Sequence, residues 1–376
     1  MKNLTRKAKR ITRKKWIRTL APSFLLLLCL ELTFRVVGGE QAAPLIPDPV
    51  LNHTWRPSSR FIHTDFQNRG IPPYTHSYNS EGWLSEREFT QVKPQGTYRI
   101  VYFGDSFTEG TCPIEDSVPA LVERNLTPPA GKRLEVINTG TSSYSPTLYY
   151  LVLKTKILKY QPDLVVVNVD MTDVFDDALY NSTLIVDGEG EPLSCPPGHP
   201  HKETSIRTAD GIYKLSKFEV TLRSIVYSSA FLRAILKKIE DSKDKTISST
   251  KVPALFAWCD PERSKETSDQ VAYTIKMLGR FIRLAKRNGI KVVITGVPHR
   301  EQLDGRWSLQ PMTELETVAA VEGAGYLDSA SELRGRLGGR EPNQLFIKND
   351  MHFNTLGYQI WAQAQISFLA KFIAAG

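Results

Sequence analysis

Cysteine is scarce in this 376-residue chain, with four copies, which excludes a disulfide-stapled scaffold. Glycine, at 24 residues, is too infrequent for a collagen-like repeat, and no internal repeat of any period is found. Disorder is excluded by abundance rather than absence, since 41% hydrophobic and 10% aromatic residues suffice for a packed core. Acidic residues are missing from the first 18 positions, which hold nine bases between Lys2 and Arg18. Beyond that tail 39 bases face 40 acids, so the formal +8 of the whole chain is a local tag on a body near −1. A second basic patch interleaved with aromatics is lacking, and no nucleic-acid partner is expected.

Directly after the tail come Thr19–Leu30, twelve residues without a charge. That is short of the roughly 20 residues of a membrane span and within the length of a signal-peptide core. Extending a helix from Trp16 to Val37 reaches spanning length, with Arg18 and Arg35 able to snorkel at its ends and Glu31 just inside one of them. A basic flank before an apolar run keeps the N-terminus in the cytoplasm and sends the downstream chain across. No clean small-x-small cleavage site comes after it, Gly38-Gly39 being the best offered, and Leu28 before Cys29 does not suit lipidation. The expectation is a cytoplasmic tail over residues 1–18 and an uncleaved anchor over 19–39. The protein would cross the inner or plasma membrane once, with its domain outside. A cleaved signal leaving a secreted or periplasmic protein is the alternative.

Residues 40–95 read as linker and leader, the first part rich in proline (Pro44, Pro47, Pro49, Pro57). From about Tyr98 short apolar strands alternate with helices. The strands are Arg99–Phe103, Leu134–Ile137, Leu164–Val167, Lys291–Thr295 and, weaker, Gly325–Asp328. Val271, Ile275, Leu278, Ile282 and Ala285 recur at helical spacing, with Ser268 as a cap and Asn288-Gly289 as a stop. A last helix begins after Asn354 and carries Leu356, Ile360, Ala364 and Phe368. Continuous Val/Ile strands between amphipathic helices predict an α/β domain over 96–376 with a parallel sheet covered on both faces. Residues 178–265 interrupt the alternation and are read as an insertion.

Ligands of such sheets bind beyond the carboxyl ends of the strands. The first such end is Phe103-Gly104-Asp105-Ser106-Phe107-Thr108-Glu109-Gly110, where a strand-to-helix turn can project the Ser106 hydroxyl. Near the other end of the chain stands Asp350-Met351-His352, just before the last helix. A serine nucleophile needs a base to take its proton, and the base needs a carboxylate to orient it.

With these residues in view, the chain resembles the SGNH/GDSL hydrolase superfamily, in particular bacterial exported members with a leader such as Asn79-Ser-Glu-Gly-Trp83. The resemblance covers roughly residues 75–180 and 290–376. It implies a three-layer αβα, flavodoxin-like sheet of order 2-1-3-4-5, with Ser106 as nucleophile, His352 as general base and Asp350 as its partner. It implies an oxyanion site from the Ser106 N–H, the Gly140 N–H in Asn138-Thr139-Gly140, and the side chain at Thr172. Thr172 stands where the family usually has Asn, whose amide is the third donor, and Asn168 could replace it only in another strand register. Asp350 lies two residues before His352 where many members place it three before; the shorter spacing occurs among polysaccharide-modifying relatives. The activity implied is that of an esterase or acylhydrolase, or of a transferase variant, acting on an ester-bearing small molecule or an acylated glycan, without metal or organic cofactor.

Other residues admit plainer readings. Asp105 and Asp173 are expected to bond loop backbone. Cys195 and Cys259 could pair in an exported chain, and Cys195 with His199 and His201 lacks a fourth metal ligand. Cys112 reads as a packed loop residue, and His299 could line the cleft or sit on a surface loop. Phe218, Leu222, Val226 and Phe231 could line an acyl groove if the substrate were a lipid or thioester. A fold retained for glycan binding or assembly, its triad idle, is the third reading.

Overall fold

The structure, a computed structural model, describes residues 22–33, 45–64, 66–197, 205–208, 211–214, 216–219, 221–222, 229, 231–232, 235 and 252–375. The chain divides into two compact units. One comprises Met1–Ala43, His199–Ile206 and Lys214–Asp244, the other Pro44–Gly198, Arg207–Tyr213 and Lys245–Gly376.

In the first unit a helix covers residues 22–33 and exposes Phe24 to Leu28 and Leu32. Its Glu31 carboxylate accepts from Ser229 Oγ at 2.8 Å and from the Phe231 N–H at 3.2 Å. Among the described residues no helix is long and apolar enough to cross a membrane. The expected tail 1–18 lies outside the described residues, as do positions 19–21 and 34–39 of the expected anchor.

The second unit is built on five parallel strands: β1 (Thr97–Phe103), β2 (Arg133–Asn138), β3 (Leu164–Asp170), β4 (Lys291–Val297) and β5 (Gly325–Leu327). Their order is β5-β4-β3-β1-β2, the 2-1-3-4-5 arrangement read from the other edge. Side chains alternate between two cores, as a pleated strand buried on both faces requires. Val101, Phe103, Val165, Val167 and Ile294 join one core, while Ile100, Tyr102, Leu164, Val166 and Val293 join the other. Helices α3 (Pro146–Val152), α4 (Asp173–Asn181), α5 (Lys265–Arg287) and α7 (Gln310–Glu322) cover the first face through Leu148, Val174, Phe281 and Leu315. Helices α2 (Val118–Asn125), α6 (Arg300–Leu303), α8 (Ser329–Arg336) and α9 (Thr355–Ala374) cover the second through Val122, Leu303, Leu333 and Trp361. Three layers therefore meet the expectation, and the sheet sets the carboxyl ends of β1, β3 and β4 side by side.

Local signals placed some boundaries and missed others. Helix α5 starts four residues earlier than Ser268 would cap it, because the Ser264 hydroxyl takes the Thr267 N–H at 3.1 Å. The stretch 178–265 is divided: His199–Ile206 and Lys214–Asp244 belong to the first unit, while its two ends stay with the sheet. Cys195 donates its N–H to Val50 O at 2.8 Å, tying one of those ends to the leader. The pairing of Cys195 with Cys259 is not made: both are free and buried.

Ahead of the sheet, the leader forms two antiparallel hairpins, Leu45–Asp48 with Asn52–Trp55 and Ser59–His63 with Tyr74–Tyr78. The connection inside the second carries a short turn of helix, Gln67–Arg69, closed by Gly70 at φ 86°.

Candidate active site

Helix α1 (Ser106–Glu109) begins immediately beyond β1, and its sequence explains the bend. Asp105 caps it by accepting the Phe107 N–H at 2.9 Å. Gly104 is forced by crowding: a Cβ there would sit 1.9 Å from Thr108 Oγ1. Thr108 is itself held from β3, where Asn168 Nδ2 donates to its hydroxyl at 2.9 Å. The turn is thereby rigid, and Ser106 opens the helix, so its N–H has no partner within it.

The other two expected residues come from a tight loop before α9. Ile347 N–H donates to His352 O at 2.9 Å and Asp350 N–H to Ile347 O at 3.1 Å. Asn349 between them takes a left-handed backbone, φ 54°, which asparagine tolerates better than most residues. Asn354 then caps α9 by accepting the Gly357 N–H at 3.0 Å. This loop brings His352 Nε2 to 2.8 Å from Ser106 Oγ. On its far side His352 Nδ1 lies 2.6 Å from Asp350 Oδ1, which also accepts the His352 backbone N–H at 3.1 Å. A serine, an imidazole and a carboxylate are in line, as nucleophilic acyl chemistry demands. The Phe107 ring packs against the imidazole, centroids 4.9 Å apart.

Two arginines hold Asp350. Arg69 of the leader turn donates from Nη1 to Asp350 Oδ2 at 2.7 Å and to Asn349 O at 3.1 Å. Arg300 donates from Nη2 to Asp350 O at 2.7 Å. Burial works against ionisation of Asp350, but its bonds to His352 and the charges of His352 and Arg69 outweigh it, and its carboxyl is held down at about 2. Sequence reasoning missed Arg69, since nothing near it signals a partner 281 positions away.

The expected oxyanion donors at Gly140 and Thr172 are committed elsewhere. The Gly140 N–H donates to Asn138 Oδ1 at 2.9 Å, and Asn138 Nδ2 reaches Thr108 O at 3.1 Å. Gly140 is a glycine because a Cβ would meet Glu109 N at 2.4 Å. The Thr172 hydroxyl donates to Asp170 Oδ2 at 2.6 Å, and its N–H to the same oxygen at 3.0 Å. Asn168 is buried, its amide Nδ2 donating to Thr108 Oγ1 at 2.9 Å and its carbonyl accepting from Gln365 Nε2 at 3.1 Å, so its donor too is committed within the fold.

Beneath Ser106 lies a feature the sequence did not announce. His299, neither in a cleft nor on a surface loop, is buried with Nε2 2.7 Å from Asp170 Oδ1. Burial opposes ionisation of Asp170, and His299 with the two Thr172 donors overcomes it, so its carboxyl is held down. Asp105 and Asp173 lie against Asp170, and burial together with the neighbouring carboxylates pushes both of them up. Asp105 bonds backbone as expected, though that of the first turn of α1 and not of a loop, whereas Asp173 accepts from Tyr149 OH at 3.1 Å.

Among the described residues two groups place metal-capable atoms within 4.8 Å of one another: Asp105 with Asp170 and Asp173, and His63 with His76 and Glu109. Both serve as hydrogen-bond networks. Asp170 is filled by His299 and Thr172. In the second group His76 Nε2 donates to Cys112 O at 2.9 Å, and Glu109 accepts from Tyr78 OH at 3.0 Å and Ser142 Oγ at 2.9 Å. Cys112 is packed and buried, as expected. Of the other candidates, His199, His201 and Val226 lie outside the described residues, and Phe218 and Leu222 are exposed in the first unit.

No family model and no curated protein matches the chain. Similar solved structures include the lipase/acylhydrolase from Enterococcus faecalis, 13% identical over 73% of this chain and 97% of that one, with a TM-score of 0.40. A GDSL-like lipase from Bacteroides thetaiotaomicron is 14% identical over 73% of this chain and 88% of its own, at a TM-score of 0.35. An acetylxylan esterase from Geobacillus stearothermophilus is 11% identical over 74% and 95%, at 0.40. At these identities and TM-scores the likenesses leave the chemistry to be argued from the site itself.

Proposed function

We propose that the protein is a serine esterase or acylhydrolase of the SGNH kind. The observation that carries this reading is the relay Ser106 Oγ to His352 Nε2 at 2.8 Å and His352 Nδ1 to Asp350 Oδ1 at 2.6 Å. His352 takes the hydroxyl proton as Ser106 Oγ attacks the ester carbonyl, and Asp350 stabilises the imidazolium that forms. The negative charge on the carbonyl oxygen is met by the Ser106 N–H at the head of α1. His352 then gives its proton to the leaving alkoxide, and water, activated by the same base, releases the acid from the acyl-enzyme. The acyl group would reach a sugar hydroxyl instead in a transferase variant.

The finer reading is an enzyme held outside the cytoplasm by its N-terminal segment and acting on an O-acylated glycan. Support comes from the basic tail before an apolar run, and from the two-residue spacing of Asp350 and His352. Protease accessibility in spheroplasts and resistance to alkaline extraction test the anchor. Acetate release from acetylated glycans, against short- and long-chain acyl esters, tests the substrate. A chain that acts only on long acyl esters would be a lipid hydrolase.

A second reading keeps the fold and leaves the triad idle. It is favoured by the commitment of Gly140 N–H to Asn138 and of the Thr172 hydroxyl to Asp170, which leaves fewer donors for an oxyanion. Fluorophosphonate labelling of the full-length chain decides between the two. Labelling that vanishes in Ser106→Ala supports the hydrolase, and its absence from the wild type supports a binding or assembly role.

A further inference from the structure

We propose that Arg69, supplied by the leader hairpin ahead of the sheet, is a positioning residue for the Asp350–His352 couple. It pins the Asp350 carboxylate in the one rotation that serves the imidazole. This inference rests on the serine-hydrolase reading above.

A carboxylate presents two equivalent oxygens and turns readily about its Cβ–Cγ bond. His352 occupies only Oδ1, through Nδ1 at 2.6 Å and its backbone N–H at 3.1 Å. Arg69 Nη1 occupies Oδ2 at 2.7 Å and reaches Asn349 O at 3.1 Å, so one nitrogen ties the side chain to the left-handed residue beside it. The ion pair is partly shielded, with 24% of the Arg69 side chain and 18% of that of Asp350 exposed. It is therefore not a fully screened surface contact.

Arg69 is in turn held by its own turn. Its guanidinium lies over the Phe66 ring, 5.6 Å from the centroid, and Phe66 sets its edge toward His352 at 6.2 Å. Leader residues thus touch both members of the couple. The loop has a second tether in Arg300, which grips the Asp350 carbonyl and leaves the carboxylate free. Arg69 is the partner that holds the second oxygen, Oδ2, opposite the imidazole.

The charges around His352 give the proposal a signature that mere folding would not produce. Facing it are Asp350, Arg69 behind Asp350, Arg300 on the loop backbone, and Asp105, whose carboxyl lies 3.3 Å from Ser106 Oγ. Removing the Arg69 cation favours the protonated imidazole. The acid limb of kcat/KM therefore moves to higher pH.

The test compares full-length wild type, Arg69→Gln, Arg69→Met and Arg69→Lys on an aryl ester, with thermal melts as a folding control. Arg69→Gln is expected to lose between about ten- and a hundredfold in kcat at a KM within about twofold, with the shifted acid limb. Arg69→Lys is expected to restore that limb and most of the rate. Arg69→Met keeps the stem over Phe66 and serves as the charge-free variant should Arg69→Gln not fold. A folded Arg69→Gln or Arg69→Met with wild-type kcat and acid limb overturns the proposal. A wild type without Ser106-dependent turnover overturns the hydrolase reading instead, and the two failures are told apart by fluorophosphonate labelling of Ser106.

Discussion

Asp170 and His299 form a second, fully buried carboxylate–imidazole pair, 2.7 Å apart, beside the turn that carries Ser106. It leaves Ser106 to His352 and serves as a keystone: it gives Asp170 a counter-group, while Asp105 and Asp173 beside it are pushed toward the neutral form. Removing one partner of such a pair strands the other in the interior. His299→Ala is expected to cost about 3–5 kcal/mol of stability, read as a fall in urea midpoint. A loss below about 1 kcal/mol would show the pair to be incidental.

Acid should uncouple Asp350. Its carboxyl sits at about 2 in the fold against an ordinary 3.8, so its contribution is present above about pH 4 and is lost as pH falls through 2. The shift corresponds to about 2 kcal/mol. The stability gap between wild type and Asp350→Asn should therefore close between pH 4 and pH 2. At neutral pH the same substitution should lower kcat by about 10⁴-fold, through the wrong imidazole tautomer. A gap that stays constant with pH contradicts the assignment.

Thr172 offers a sharp choice. Its hydroxyl serves Asp170, so Thr172→Val should reduce stability by about 1–3 kcal/mol and leave kcat within a few-fold. A loss of about 10²–10³ in kcat with little change in melting temperature would instead make the hydroxyl an oxyanion donor during turnover.

Gly140→Ala should harm both stability and rate. The atoms a Cβ would meet are backbone, Glu109 N at 2.4 Å and Thr108 C at 2.7 Å, which cannot swing aside. The loop and α1 must part, carrying Ser106 away from His352. Gly188→Ala, with nothing within 4 Å of its added carbon, is the matched control and should change stability by no more than about 0.5 kcal/mol.

The meeting of Ser106, His352 and Asp350 could be anticipated from the chain because each lies in a short local signal. Gly104-Asp105-Ser106 makes a turn by crowding and capping, and Asp350-x-His352 sits in a loop before a capped helix. Strand order was implied by the resemblance those motifs carry, and the two cores by the Val/Ile runs. The supporting shell was not legible, because it depends on register. Val297 pairs with Asp170 across β4 and β3, which brings His299, two residues on, against a carboxylate 129 positions away. Arg69 reaches Asp350 across 281 positions. For Gly140 and Thr172 the sequence marked the positions, but not which acceptor each donor would choose; Asn138 and Asp170, two residues away in each case, take them.

Ser106 and His352 are separated by 246 positions, with the base beyond all five strands of the sheet. A ribosome that has made Ser106, the sheet and most of the helices has not yet made His352. On the serine-hydrolase reading, newly synthesised chains should stay chemically silent until the loop bearing His352 emerges and docks. That delay would keep the producing cell's own esters out of reach of an unfinished enzyme.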